Sequence, residues 1–291
     1  MRQYLIASFA LLAISHSAYA QNEVEFGPGN YMLQALEDIN LKLESYLPAS
    51  NKDYGWRPEL CLAGAILDLG ETIALDIFLE ADTDYVFVGG GDDDVTVLDA
   101  YLVSSSKEVV ASDILDDRTP IVSYTPEVAG MYSLRLQLVG CNTPLSFVSV
   151  AILQKGGGSF DEVAFDEVSS SLIANTARVN ASNEGLTYHS NENQWSTFGF
   201  FLQPGQESTI ENLDLSTEFE TQWIVSASQK ELQNIDILLL DSSYGFVAGD
   251  QADDNYPLFN NSDIIDGESY ILQAKAVSGT RSGLFLFSVL N

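Results

Sequence analysis

The chain has 291 residues, 46% of them hydrophobic and 11% aromatic. That is long enough for two domains with cores and too apolar for a disordered acidic polymer. Its 12 basic and 42 acidic residues give a net charge of −30, a surface that repels phosphate backbones and anionic lipid and so disfavours both as partners.

The N-terminus has the layout of a secretory signal: Arg2, an apolar run from Tyr4 to Ile14, then Ala18-Tyr19-Ala20 as the small-x-small cleavage pattern. Cleavage after Ala20 is expected, and with it a secreted or periplasmic protein. No later stretch approaches the roughly 18 apolar residues of a spanning helix, so no membrane insertion is expected. Two cysteines remain, Cys61 and Cys141. In an exported chain the default is a disulfide between them, closing a loop of about 80 residues.

Residues 21–154 read as a helix followed by a first β unit. Met32, Leu36, Ile39, Leu43 and Tyr46 recur at helical spacing, with Asn30 placed to cap the start and Pro48 to end it. From Leu60 the period changes to two and turn residues separate short runs, the mark of an all-β module. The run Tyr132 to Leu138 alternates cleanly and predicts a strand with one buried face. Lys155-Gly-Gly-Gly-Ser159 opens an expected flexible linker over 155–164. A second helix, with Val168, Leu172 and Val179 on its stripe, and a second β unit starting near Trp195 are expected over 165–291.

The stretch Leu98 to Pro120 recurs as Ile235 to Pro257 at an offset of 137 positions. Asp99, Asp113, Asp116, Asp117 and Pro120 return as Asp236, Asp250, Asp253, Asp254 and Pro257. The chain is thus a tandem duplication of a helix-plus-sandwich unit. The predicted fold class is all-β, two tandem jelly-roll or Greek-key sandwiches, each preceded by a helix.

The strand Leu98-Asp99-x-Tyr101, the strand end Val110-Ala-Ser-Asp113, and Tyr124-Thr-Pro followed by Ala129-Gly130-x-Tyr132 resemble the bacterial pre-peptidase C-terminal domain. The second copy keeps Asp236, Val247-Ala248-x-Asp250, Gly267 and Tyr270 and lacks the Tyr-Thr-Pro segment. The resemblance implies a small jelly-roll-like sandwich, an accessory to secreted enzymes that binds a polymer or aids secretion, with calcium bound in some relatives. No peptidase domain accompanies it here.

Histidine is nearly absent: His16 lies in the leader and His189 in what reads as a solvated polar loop. Triad chemistry and histidine-built zinc sites have almost nothing to use. Gly89-Gly-Gly91 lacks the following Lys-Ser/Thr of a phosphate loop, and Asp92-Asp-Asp94 would repel phosphate. The eight repeated aspartates are the candidate calcium ligands, because calcium takes six to eight oxygens from loop carboxylates and carbonyls. Against this stands the ordinary Asx-turn. Asp99, in an apolar strand, needs an ion, an amide or a basic partner such as Arg118. Tyr54, Trp56, Tyr188 and Trp195 fall at equivalent pre-strand positions and form the candidate sugar platform, against a covering role. The expectation is a non-catalytic binding protein whose partner is a polysaccharide or an extracytoplasmic protein. The alternatives are a structural component of a surface assembly and a carboxylate-based hydrolase.

Overall fold

The computed structural model describes residues 27–291 apart from 51, 184, 190–193, 216–221, 263 and 266; the expected leader lies outside the described residues. The first half runs α1 (Gly27–Ser50), β1 (Tyr54–Trp56), β2 (Glu59–Asp68), β3 (Thr72–Leu79), β4 (Tyr85–Gly91), β5 (Val95–Ser104), β6 (Val109–Asp113), β7 (Ile121–Tyr124), β8 (Gly130–Cys141) and β9 (Leu145–Lys155). The second half runs α2 (Glu162–Ser182), β10 (Thr197–Leu202), β11 (Glu207–Asp214), β12 (Gln222–Ser228), β13 (Leu232–Asp241), β14 (Phe246–Asp250), β15 (Leu258–Asn261), β16 (Ser269–Gly279) and β17 (Gly283–Leu290).

Each unit is an eight-stranded sandwich. The first has sheet orders β2-β9-β4-β7 and β3-β8-β5-β6; the second repeats them as β10-β17-β12-β15 and β11-β16-β13-β14. All pairs are antiparallel, and the chain passes back and forth between the two sheets as in a jelly roll. The expected fold class is what the chain adopts, one copy per half.

The halves are joined edge to edge. β2 pairs antiparallel with β10, so two four-stranded sheets become one continuous central sheet, with β1 added beside β9. The helices lie against each other on one face of that sheet, and the two smaller sheets cover the other. This layering explains the sequence pattern. Strands β4, β10 and β17 are buried at every position, because the central sheet is covered on both faces. In β3 exposed and buried residues alternate strictly, because one face of the smaller sheet meets water.

The sandwich core is built from Leu98, Leu102, Leu134, Leu136 and Val150 in the first unit and from Phe198, Phe200, Phe285 and Phe287 in the second. Phe198 stacks on Phe287 at 5.2 Å between ring centroids. Burial of each such ring contributes about 1.5–3 kcal/mol. Helix α1 starts before Asn30, which lies within it, and keeps Pro48 near its C-terminal end. Helix α2 is capped by Asp161, whose Oδ1 accepts the Ala164 N–H at 3.0 Å.

The glycine run after β9 is pinned rather than loose. Trp56 and Gly158 exchange backbone hydrogen bonds of 2.6 and 2.8 Å, and Gly156 N–H donates to the Asp53 carbonyl at 2.6 Å. A Cβ on Gly158 would collide with the Phe201 ring. Here glycine is required by close approach of the two halves, and α2 already begins at Glu162.

Candidate binding site at the seam

Four of the eight aspartates predicted as calcium ligands, Asp113, Asp117, Asp250 and Asp254, accept backbone N–H groups. Asp113 accepts the N–H of Leu115 at 3.2 Å and of Ile121 at 2.8 Å; its counterpart Asp250 accepts those of Ala252 and Leu258, both at 2.9 Å. Asp117 and Asp254 each accept the N–H two residues on, from Thr119 and Tyr256. These are Asx-turns, copied with their loop. Asp253 accepts from Asn234 Nδ2 at 3.1 Å, and Asp116 is exposed. Asp99 and Asp236 lie on the half-buried outer face of β5 and β13, not in the core; Asp99 accepts the Tyr101 hydroxyl at 2.8 Å. Among the described residues no group of three or more His, Cys, Asp or Glu is placed to hold a metal ion. Arg118, considered as a partner for Asp99, instead pairs with Asp38 of α1 at 2.6 Å and Asp93 at 3.1 Å.

The expected disulfide is not formed: both thiols are free. Cys61 is the extra residue of a β-bulge opposite Gly199 and Phe200, on the helix side of the central sheet, with its Sγ on the Gly199 carbonyl. Cys141 ends β8 against the sandwich core and contacts Ser146 Oγ at 2.8 Å. They sit on opposite sides of the central sheet, which no bridge can cross. Burial pushes the Cys61 thiol well above its ordinary value.

The four platform aromatics are core residues, which corrects the sugar-platform reading. Tyr54, Trp56, Tyr188 and Trp195 are all buried. Trp56 packs on Phe160 and Phe165 of the second half at 5.5 and 5.4 Å, and Tyr188 packs on Phe147 of the first at 5.1 Å. Trp56, Tyr188 and Trp195, whose indole N–H donates to the Ala74 carbonyl, each pack on the other half, so their burial could not be read from their own unit. His189 is likewise buried, its Nε2 within 2.7 Å of Gln194 Oε1.

The concave feature that duplication and fusion create is at the seam. The central sheet continues through β2 and β10, but the layer above it is split, since β3 ends one small sheet and β11 ends the other. Between these edges lies a groove of about 640 Å³. Leu60, Trp195 and Phe198 line it together with exposed Phe78 and Met131, a cross-strand pair of β3 and β8. Asp76 of β3 and Glu211 and Asp214 of β11 supply its charge, and no Lys or Arg lies among the lining residues. Arg57, just outside, is engaged by the Leu60 carbonyl at 2.8 Å.

The two edges differ. β11 is bulged between Ile210 and Leu213, with Asn212 at φ 58°, a left-handed conformation asparagine tolerates. β3 is regular over its whole length. Its Ala74 carbonyl points away from β8 and accepts the Trp195 indole N–H at 2.9 Å. By strand alternation the backbone groups of Asp76 also face the groove. The sequence signal for this site was the pair of apolar runs β2 and β10, which showed burial but not which edges would meet.

No protein-family profile matches the chain. No curated protein matches it either. Among solved structures, the tandem CBM51 modules of Sp3GH98, a family 98 glycoside hydrolase from Streptococcus pneumoniae, align over 77% of this chain and 83% of theirs at 14% identity and TM-score 0.24. The exported protein XepA of PBSX aligns over 79% and 85% at 12% identity and TM-score 0.26. A Pseudomonas aeruginosa protein of unknown function, PA5104, aligns over 78% and 81% at 7% identity and TM-score 0.19. With TM-scores this low the likenesses extend no further than a β-rich build. No helix among the described residues is long and apolar enough to cross a membrane.

Proposed function

We propose that the protein is a non-catalytic binding protein whose ligand lies in the seam groove, and that the ligand is an extended, basic segment of an extracytoplasmic protein. The observation that carries this reading is the groove itself: an apolar floor between two strand edges, with Asp76, Glu211 and Asp214 around it and no cation among the lining residues. An extended chain adds hydrogen bonds at the Asp76 backbone, between Ala74 and Phe78, whose carbonyls Trp195 and Arg57 engage, and alternate side chains reach the floor. Carboxylates favour Lys and Arg on the guest, and the overall charge of −30 steers basic partners toward the molecule. The leader in residues 1–20 would deliver the protein outside the cytoplasm.

The test is fluorescence anisotropy with labelled octapeptides alternating lysine–valine or glutamate–valine. Binding of the basic peptide, weakened by salt, by Asp76→Ala with Glu211→Ala, and by the groove-filling Ala74→Phe, is the expected result. Equal binding of both peptides, or binding that Ala74→Phe leaves intact, overturns the reading.

A further inference from the structure

The two units treat the gap between helix and sheet differently. In the first, α1 reaches the sheet edge directly: Lys42 Nζ donates to Thr119 Oγ1 at 3.2 Å, and the Tyr46 hydroxyl lies 3.2 Å from Ser123 Oγ. The counterparts of Val86 and Thr119, at the offset of 137, are Trp223 and Tyr256. Larger residues there do not close the gap. They rim a pocket of about 300 Å³ between α2, β12 and β15, lined also by Leu258, Asn175, Arg178 and Asn183.

The pocket is built rather than left over. Tyr256, 55% exposed, stands at its rim on the loop that Asp250 and Asp254 brace. Asn175 Nδ2 donates to the Ser226 carbonyl at 2.8 Å while its Oδ1 accepts Arg178 Nη1 at 2.8 Å. This ties the exposed Arg178 into the pocket lining, and a guanidinium has donors beyond the one that Asn175 accepts.

We propose that this pocket holds one neutral pyranose ring of an oligosaccharide. A sugar ring has apolar C–H faces and a girdle of hydroxyls. Tyrosine and tryptophan present broad apolar faces with a polar tip, and Arg178 supplies donors for hydroxyl oxygens. The volume lies at the low end for ligand pockets, which suits a single ring. A polyanionic glycan would be repelled by the net charge of −30. The site stands apart from the seam groove and does not depend on it.

The test uses the three tryptophans. Trp56 and Trp195 are buried and Trp223 is partly exposed, so acrylamide quenching reports on Trp223. The protein is titrated with neutral cello-, xylo-, malto-, manno- and chito-oligosaccharides, with galacturonate oligomers and apolar dipeptides as the other arms. Protection by a neutral oligosaccharide is expected, weakened about tenfold by Tyr256→Ala and by Arg178→Gln, and unchanged in Ala74→Phe. Circular dichroism melts confirm that the variants fold. No protection by any neutral sugar, stronger protection by galacturonate or by a dipeptide, or protection that Tyr256→Ala leaves undiminished overturns the proposal. Loss of peptide binding in Ala74→Phe with sugar protection retained separates this site from the seam.

Discussion

Both helices border a pocket of about 300 Å³, but in different places: at the N-terminal end of α1, among Tyr31, Ile66 and Phe147, and under one side of α2, among Arg178, Trp223 and Tyr256. The difference begins in the sheet. Gly89-Gly90-Gly91 of β4 has Ser226-Ala227-Ser228 as its counterpart in β12. A Cβ at Gly90 would lie 2.5 Å from the Ala35 carbonyl oxygen and 2.8 Å from Ile39, so α1 occupies the space a side chain would fill. The helices answer in kind. α1 buries Met32, Leu36, Ile39 and Leu43 with Ala35, Asp38 and Asn40, and α2 buries Phe165, Val168, Leu172 and Val179 with Ser169, Thr176 and Ala177. Thr176 satisfies its hydroxyl on the Leu172 carbonyl within the helix. A duplicated frame thus holds α1 close over the glycines of β4 and leaves its pocket at the helix N-terminus, whereas the pocket of the second unit lies between α2, β12 and β15.

Five substitutions sharpen or break this contrast. The largest effect is expected from Trp56→Ala, which removes a ring shared by the two halves: about 3–5 kcal/mol lost in chemical denaturation, with α2 affected as strongly as the first sandwich. Next is Gly90→Val, expected to cost about 3 kcal/mol by lifting α1, whereas Ala227→Gly in the second unit costs about 1 kcal/mol. Equal costs at the two positions would show that the helices are bedded alike. Arg118→Met removes the cation that ties α1 to the β4–β5 turn and leaves Asp38 buried beside Glu37 and Asp93; about 2 kcal/mol is expected, since Asp38 can take up a proton.

The smallest effect is in pH. Burial raises the Asp38 carboxyl to about 6 from its ordinary 3.8, although Arg118 pulls the other way. Burial with the charges of Asp166 and Asp93 raises Glu37 in the same direction. The folded protein therefore takes up these protons first. For Asp38 the resulting stabilisation grows as pH falls from about 6 toward 3.8 and is lost as pH rises back through 6. Denaturant midpoints at about pH 5 and about pH 7 should differ less in Asp38→Asn than in the natural protein. An unchanged difference would place the titration elsewhere.

Much of this architecture was legible in the residues. The offset of 137 between the copies holds strand by strand from β4 and β12 through β7 and β15. Parity places Asp99 outside as well: Leu98, Ala100 and Leu102 face the core, so the residues between them cannot. What escaped reading depends on the other half of the chain. Trp56, Tyr188 and Trp195 look like exposed rings until a second sandwich arrives to cover them. Cys61 and Cys141 share a unit but not a side of its central sheet. The pocket under α2 left a signal, Trp223 and Tyr256 in a frame that otherwise keeps small residues, but its meaning required the helix in place.

The pairing of β2 with β10 has one more consequence. Counterpart strands meeting antiparallel is the arrangement two identical units adopt about a two-fold axis. A single unit would present β2 as a bare edge and half a helix layer, and a second copy of itself would cover both. The tandem chain is a homodimer written into one polypeptide. Halves that are covalently joined need not match, and here they place their pockets differently, at the N-terminal end of α1 in one and under α2 in the other.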